Sequence, residues 1–268
     1  MLLKISGLAR STYYYNVELL DKDAKNKEII ENIKEIFAAS RKCYGYRRIT
    51  SVLNNRGIRI NHKKVLRLMR KLALCPKGKK IRKYNSYKGT VGKIAPNVID
   101  RAFKAEGPNL KWYTDITEFK TEEGKVYLSP ILDGFNSEII SYALSTSPNM
   151  NQINEMLRSA FKNRKDLSNL VLHSDQGWQY QHYYYQKTLK KRKIIQSMSR
   201  KATCLDNSLM ENFFGRLKVE MYYGSEKLFK TVSELMKAID DYIDFYNNDR
   251  IKLQLNGLSP VDYRKQSV

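Results

Sequence analysis

At Lys111 the hydrophobic pattern of this 268-residue chain changes period, and no other feature limits its fold as strongly. Three runs follow closely, "KWYTDITEF", "VYLSPILDGF" and "EIISYALS", with the turn-forming "TEEGK" after the first. Runs rich in Val, Ile, Tyr, Phe and Trp between turn formers read as strands, and short connections make three in a row an antiparallel meander. Beyond them the pattern alternates: helix at 151–164, strand at 169–173, helix at 179–192, strand at 194–198, helix at 207–223. The expectation is an α/β domain, a mixed sheet flanked by helices. In such sheets, sites form beyond the strand ends.

The hundred residues before the switch read as helical and basic. Residues 23–38 put Ile29, Ile30, Ile33, Ile36 and Phe37 on one helical face. A second helix fits 45–55, with Ile49, Val52 and Leu53 inward and Gly57 just past its end as a stop. Asn61 is a good N-cap for a third, "HKKVLRLMRKLAL". Its Val65, Leu68, Met69 and Leu72 form the buried stripe, while Lys63, Arg67 and Arg70 line a different face.

Charge points the same way. Residues 1–100 carry 24 Lys and Arg against 7 Asp and Glu, and no acid lies between Ile36 and Asn97. A polyanion is the natural partner of such a stretch, and nucleic acid is the commonest one; a solvated basic surface is the alternative. Three short helices with a basic third suggest a helix-turn-helix, against the competing reading of an ordinary helical hairpin. Its candidate DNA contacts are Arg47, Arg48, Lys63, Lys64, Arg67 and Arg70. After Cys75-Pro76, "KGKKIRKYNSYKGTVGK" lacks periodicity. It reads as a linker able to follow a phosphate backbone, with Tyr84 and Tyr87 available for stacking, or as a plain tether.

Three scattered cysteines without CxxC spacing and three histidines argue against a disulfide framework or a His/Cys zinc module. The same cysteine usage fits a reducing cytoplasm, and no run approaches the roughly 18 apolar residues of a membrane span, so no membrane partner is expected.

The carboxylates carry the chemistry. Asp115 stands inside the first strand run among Trp112, Tyr113, Ile116 and Phe119, where an unpaired charge is costly. Asp175 follows "NLVLHS" directly and precedes "QG". Singly, the first can be a solvent-facing strand residue and the second a turn former. The stretch "CLDNSLMENFFGRLKVEM", residues 204–221, adds three acids on one amphipathic helix. Asp206 reads as a capping or first-turn acid and Glu220 as solvent-facing. Glu211 shares a face with Asn207, Gly215 and Lys218. Gly215 costs a helix about 1 kcal/mol relative to Ala, which hints at a close approach, and Lys218 could reach a phosphate in the same groove. Three carboxylates from separate elements suit hard divalent cations, Mg²⁺ or Mn²⁺, and two such ions serve phosphoryl transfer.

Fifty-nine residues separate Asp115 from Asp175, thirty-five separate Asp175 from Glu211, and Lys218 follows seven positions on. This arrangement resembles the retroviral-integrase-type catalytic core of bacterial transposases. The words "WYTDITEF", "LHSDQGWQY" and "DNSLMENFFGRLKVE" are more specific still. With "YGYRRIT" upstream and "YNNDRIKLQLNGLSPVDY" at the end, they resemble the downstream-frame transposase of the insertion sequence three family, nearest its insertion sequence one-fifty branch.

The resemblance implies a ribonuclease H-like core in which Asp115, Asp175 and Glu211 are catalytic and hold two Mg²⁺ or Mn²⁺ ions. It implies Mg-dependent strand cleavage, in which water frees a 3′-OH, and strand transfer, in which that hydroxyl attacks another phosphodiester. The implied partners are the element's ends and target DNA, a homo-oligomer assembled on DNA, and an upstream-frame product joined by frameshifting. On that expectation the end-binding helices of the upstream frame lie outside this chain, and its place is the nucleoid. A catalytically silent DNA-binding regulator of transposition is the alternative, and a general nuclease of the same fold a third reading. The family commonly reads "SRKGNCxDN" where this chain has "SRKATCLDN", so Ala202 and Thr203 replace a Gly and an Asn. A Gly there can supply a positive φ or let a backbone approach DNA.

The expected organisation is a remnant of a helical DNA-binding unit at 1–22 and a helix-turn-helix-like domain at 23–75. A basic linker at 76–107, the catalytic core at 108–225 and a C-terminal helical extension at 226–268 complete it.

Overall fold

The computed structural model describes residues 9–15, 26–78, 93–162, 164, 167–200 and 203–267, with Cys204 by its backbone alone. Most of the first 22 residues, Tyr84, Tyr87 and Ala202 lie outside the described residues. The chain forms two compact units, Met1–Lys77 and Gly78–Val268.

The first unit holds a helical turn at 10–15 and three helices, α1 (Lys27–Ala39), α2 (Tyr46–Asn55) and α3 (His62–Lys71). Their apolar stripes meet: Ile33, Ile36 and Phe37 of α1, Ile49 and Leu53 of α2, and Val65, Leu68 and Met69 of α3 are all buried. The expected stop and start signals operate. Gly57 takes φ +84° after α2, and Asn61 Oδ1 accepts from the Lys63 N–H at 2.8 Å to cap α3. Lys63, Arg67 and Arg70 stand on the exposed face of α3, and Lys64 is half-buried. The two arginines of α2 stack on tyrosines, Arg47 over Tyr46 and Arg48 over the buried Tyr44, at 5.7 and 5.6 Å from the ring centres.

The second unit is built on a six-stranded sheet. Its strands are β1 (Lys111–Thr114), β2 (Thr117–Lys120), β3 (Lys125–Asp133), β4 (Ile139–Ser145), β5 (Val171–Ser174) and β6 (Ile195–Met198). β3 pairs antiparallel with β1, β2 and β4, whereas β1, β5 and β6 are parallel neighbours. "KWYTDITEF" is therefore two strands rather than the single one expected. Asp115 and Ile116 form the break, where Asp115 Oδ1 accepts from the Ile116 N–H at 2.7 Å. A short acid bonding its own backbone competes with the ladder at that point.

The crossovers are α4 (Met150–Lys162) and the pair α5 (Trp178–Gln181) and α6 (Tyr183–Lys191), split at His182 where one helix was expected. His182 is extended, with ψ 137°, and caps α6 by accepting from the Tyr184 N–H. After β6 the chain makes a 3-10 turn (Cys204–Asn207), α7 (Ser208–Leu217) and a π-helical turn (Lys218–Tyr222), where a single helix was expected. It ends in α8 (Val232–Asn248) and α9 (Pro260–Ser267).

Alternation along the strands sorts the core onto two faces. Trp112, Ile131 and Leu172 pack with Ile153, Met156 and Tyr185 of the crossover helices. Tyr113, Leu132 and Phe119 pack with Met210, Phe213 and Leu217 of α7 and with Leu235, Ile239, Tyr242 and Phe245 of α8. This is the ribonuclease H-like arrangement, with helices on both faces of a mixed sheet. The second unit also takes in residues assigned from sequence to the linker. Ile99 and Ala105 are buried, Val98 N–H donates to Ser197 Oγ at 2.9 Å, and Ala95 N–H meets Met198 Sδ at 3.3 Å.

Two acids of the 204–221 stretch are buried: Asp206, in the first turn as expected, and Glu220, which was expected to face solvent. Asp206 is 1% exposed and accepts five hydrogen bonds, three from Arg200 and one each from Arg101 and Asn97. Glu220 takes Arg250 in a two-pronged pair of 2.6 and 2.8 Å. Both charges are tolerated inside because cations from elsewhere in the chain meet them.

Candidate active site

Parallel pairing of β1 with β5 sets the first two acids side by side. Asp115 and Asp175 each lie two residues past the registered pair Tyr113 and His173, at the carboxyl ends of neighbouring strands. Asp175 Oδ1 accepts from the Gly177 N–H at 2.9 Å, a turn that starts α5. A Cβ on Gly177 would stand 3.0 Å from that same oxygen, so the loop wraps the carboxylate closely. Glu211 comes from the opposite element, the first turn of α7, where its residue is exposed.

Electrostatics tie the three together. Burial pushes the Asp115 carboxyl well above its ordinary range, the negative charge of Asp175 pushes it further, and Glu211 adds to the same effect. Lys218, in the π-helical turn, acts in the other direction. Burial raises Asp175 too, with the Gly177 N–H opposing. Lys218 is itself lowered, chiefly by burial, against the pull of Glu118 and Asp115, and its ammonium lies 5.1 Å from the Phe119 ring centre. Lys218 is thus half-buried beside the acids rather than projecting into solvent.

The expectation of a close approach at Gly215 is not met among the described residues, none of which lies within 4 Å of where its Cβ would be. Thr203 has φ −111°, an ordinary value for an L-residue, so its position needs no glycine-like backbone.

Residues not singled out from sequence complete the site's floor. Tyr180 is fully buried under the acids, its hydroxyl 3.5 Å from Thr114 Oγ1, and burial together with Asp115 and Asp175 raises its pKa well above the ordinary value. Asn207 donates from Nδ2 to the Thr114 carbonyl at 3.2 Å. His173 Nδ1 lies 2.9 Å from Ser197 Oγ. Their words, "LHSDQGWQY" and "LDN", are conspicuous in the sequence, but which partner each side chain takes is set by the fold.

Among the described residues no three His, Cys, Asp or Glu side chains are gathered as a ready metal-holding group. The donor chemistry nevertheless fits a divalent cation. Two half-buried carboxylates at neighbouring strand ends, both raised by burial and the first raised further by the charges of Asp175 and Glu211, form a negative field that a hard cation relieves.

The chain is similar to known proteins over nearly its whole length. Residues 105–204 and 211–268 each match an Integrase core domain family, and residues 24–83 match an HTH-like domain. The chain is 49% identical over 266 residues to the putative transposase InsK for insertion sequence element IS150 of Escherichia coli, spanning 99% of this chain and 93% of that one. It is 57% identical over 212 residues to an uncharacterized transposase-like protein of Haemophilus influenzae, spanning 79% of this chain and 96% of that one. The HTLV-2 integrase catalytic core domain superposes on 59% of this chain and 98% of its own, with a TM-score of 0.47 and 18% identity.

Proposed function

From a chain that belongs to the insertion sequence transposases with an integrase core, we propose a DNA transposase in which Asp115, Asp175 and Glu211 are the catalytic metal ligands. The observation that carries the assignment is the electrostatic coupling of Asp115 to both other acids and to Lys218. Charges that repel this strongly in a protein interior are retained where something positive is to be held between them.

Mg²⁺ or Mn²⁺, as one ion or two, would supply a Lewis acid at the scissile phosphate and lower the pKa of an attacking hydroxyl. The protein's own residues do the rest. Asp115 and Asp175 each have one oxygen fixed by a backbone N–H, of Ile116 and Gly177 respectively. Glu211 approaches from α7, and the Lys218 ammonium offers a positive charge to a phosphate beside the acids. The open space at Gly215, one turn past Glu211, leaves room for a DNA backbone along that face. The reaction class is polynucleotidyl transfer: hydrolysis at an element end, then attack of the freed 3′-OH on a second phosphodiester.

In the first unit, exposed Lys63, Arg67 and Arg70 on α3 form the DNA-facing surface, with half-buried Lys64 and the stacked Arg47 and Arg48 at its margin. A homo-oligomer on DNA and an upstream-frame partner belong to the same reading, as does a nucleoid location.

The test is strand transfer on labelled element ends with Mg²⁺, using the chain alone and fused to its upstream frame. Asp115→Asn, Asp175→Asn and Glu211→Gln should each abolish joining while DNA binding persists. Joining unchanged in all three would refute the site assignment. Joining by the fusion but not by the chain alone would show that end recognition needs the upstream frame.

A further inference from the structure

Asn207 sits at the start of α7, where an asparagine ordinarily turns its side chain back to cap the helix. Here it makes no such bond. Its amide reaches instead across to β1 and donates to the carbonyl of Thr114, the residue before Asp115, at 3.2 Å. Both residues are buried, and Asn207 Oδ1 has no hydrogen-bond partner among the described residues. Packing alone would favour an apolar side chain, because a buried acceptor without a partner costs stability. Glu211 follows four positions later, one helical turn along the same face.

The neighbouring Asp206 explains why Asn207 cannot swing away. Its carboxylate is held by Arg200, Arg101 and Asn97, at 2.9 to 3.2 Å. The 3-10 turn Cys204–Asn207 is therefore tied to β1 beside Asp115, and runs straight into the helix of Glu211.

We propose that Asn207 is a positioning residue for the three acids. Its bond to Thr114 sets the separation between Glu211 and Asp115, and Asp206 is the anchor that keeps Asn207 in place. The proposal rests on the reading of Asp115, Asp175 and Glu211 as metal ligands.

The experiment uses the full chain without DNA. Thermal unfolding is followed by tryptophan fluorescence during MnCl₂ titration, because a cation bound only by the folded state raises the melting temperature. Asn207→Leu keeps the side-chain size and removes the donor; Asn207→Ala is its partner variant. Both should melt cooperatively without metal, and both should need about 10- to 100-fold more Mn²⁺ for half-maximal stabilisation, the range for groups that orient metal ligands. Affinity for DNA without metal should stay unchanged. Unchanged Mn²⁺ dependence in both variants would overturn the proposal. Failure of both to fold would also overturn it, making Asn207 a residue of the core instead. Asp115→Asn serves as the control. If it leaves Mn²⁺ stabilisation intact, the metal reading itself fails, which is distinct from failure of Asn207 alone.

Discussion

Arg250 and Glu220 form a two-pronged ion pair, 2.6 and 2.8 Å, inside the second unit, with Arg250 fully buried and Glu220 9% exposed. Arg250 follows α8 and Glu220 lies in the π-helical turn that carries Lys218, so the pair staples the end of the α7 segment to α8. The Tyr242 hydroxyl donates to the same carboxylate at 2.9 Å.

Removing one partner of such a pair strands a buried charge, whereas removing both does not. Arg250→Leu should destabilise this unit by about 3–5 kcal/mol, and Arg250→Leu with Glu220→Leu should recover most of the loss. Urea unfolding followed by tryptophan fluorescence isolates the unit, because both tryptophans, Trp112 and Trp178, lie in it. A double variant as unstable as the single one would show that the pair contributes more than mutual charge compensation.

Gly215 should be replaceable in the folded protein but not on DNA. No described residue meets its Cβ position, so Gly215→Ala should stabilise α7 by about 0.5–1 kcal/mol through helix propensity. If a DNA backbone lies along the Glu211 face, the same methyl group should lower strand transfer severalfold. Gain of stability with unchanged joining would place the DNA elsewhere.

Patterns local to the chain were legible in advance, and relations between distant residues were not. The apolar stripe Leu235, Ile239, Tyr242 and Phe245, the caps at Asn61 and Gly57, and the alternation of strands and helices all follow from short-range periodicity. The three acids stand out as residue types, and their motif spacing marks them. What a sequence hides is compensation at a distance. Glu220 reads as a surface acid and Asp206 merely as a helix-start acid because their partners, Arg250 and Arg101, lie 30 and 105 positions away. The break after Thr114 was also concealed, since the residues on both sides favour strand and only the Asp115 side chain interrupts the ladder. The same holds for 93–107, whose lack of periodicity suggested a linker although Ile99 and Ala105 are core residues.

His173 gives the unit a specific acid sensitivity. Burial lowers its pKa from 6.5 to about 4, so the unfolded chain binds this proton more readily than the folded one. Its contribution is intact above pH 6.5 and is lost as the pH falls toward 4. Full expression of the shift is worth on the order of 3 kcal/mol. Stability should therefore fall across that window more steeply in the wild type than in His173→Asn, measured by urea midpoints at stepped pH. Parallel profiles would contradict the lowered value.

Asp115 titrates in the opposite sense. Burial and the charge of Asp175 raise its pKa in the folded state, so the folded chain holds this proton more tightly than the unfolded one. The stability linked to protonation is fully present below the unfolded value near pH 4 and is lost as the pH rises through the higher folded value. At neutral pH the ionised acid is consequently a liability in the metal-free protein. Asp115→Asn should raise metal-free stability at pH 7 while abolishing strand transfer. The gain should shrink as the pH is lowered toward 4, where the wild-type carboxyl is itself neutral, and Mn²⁺ should stabilise the wild type but not the variant. Equal metal-free stabilities of the two proteins at pH 7 would show that the carboxylates do not repel one another as their placement requires.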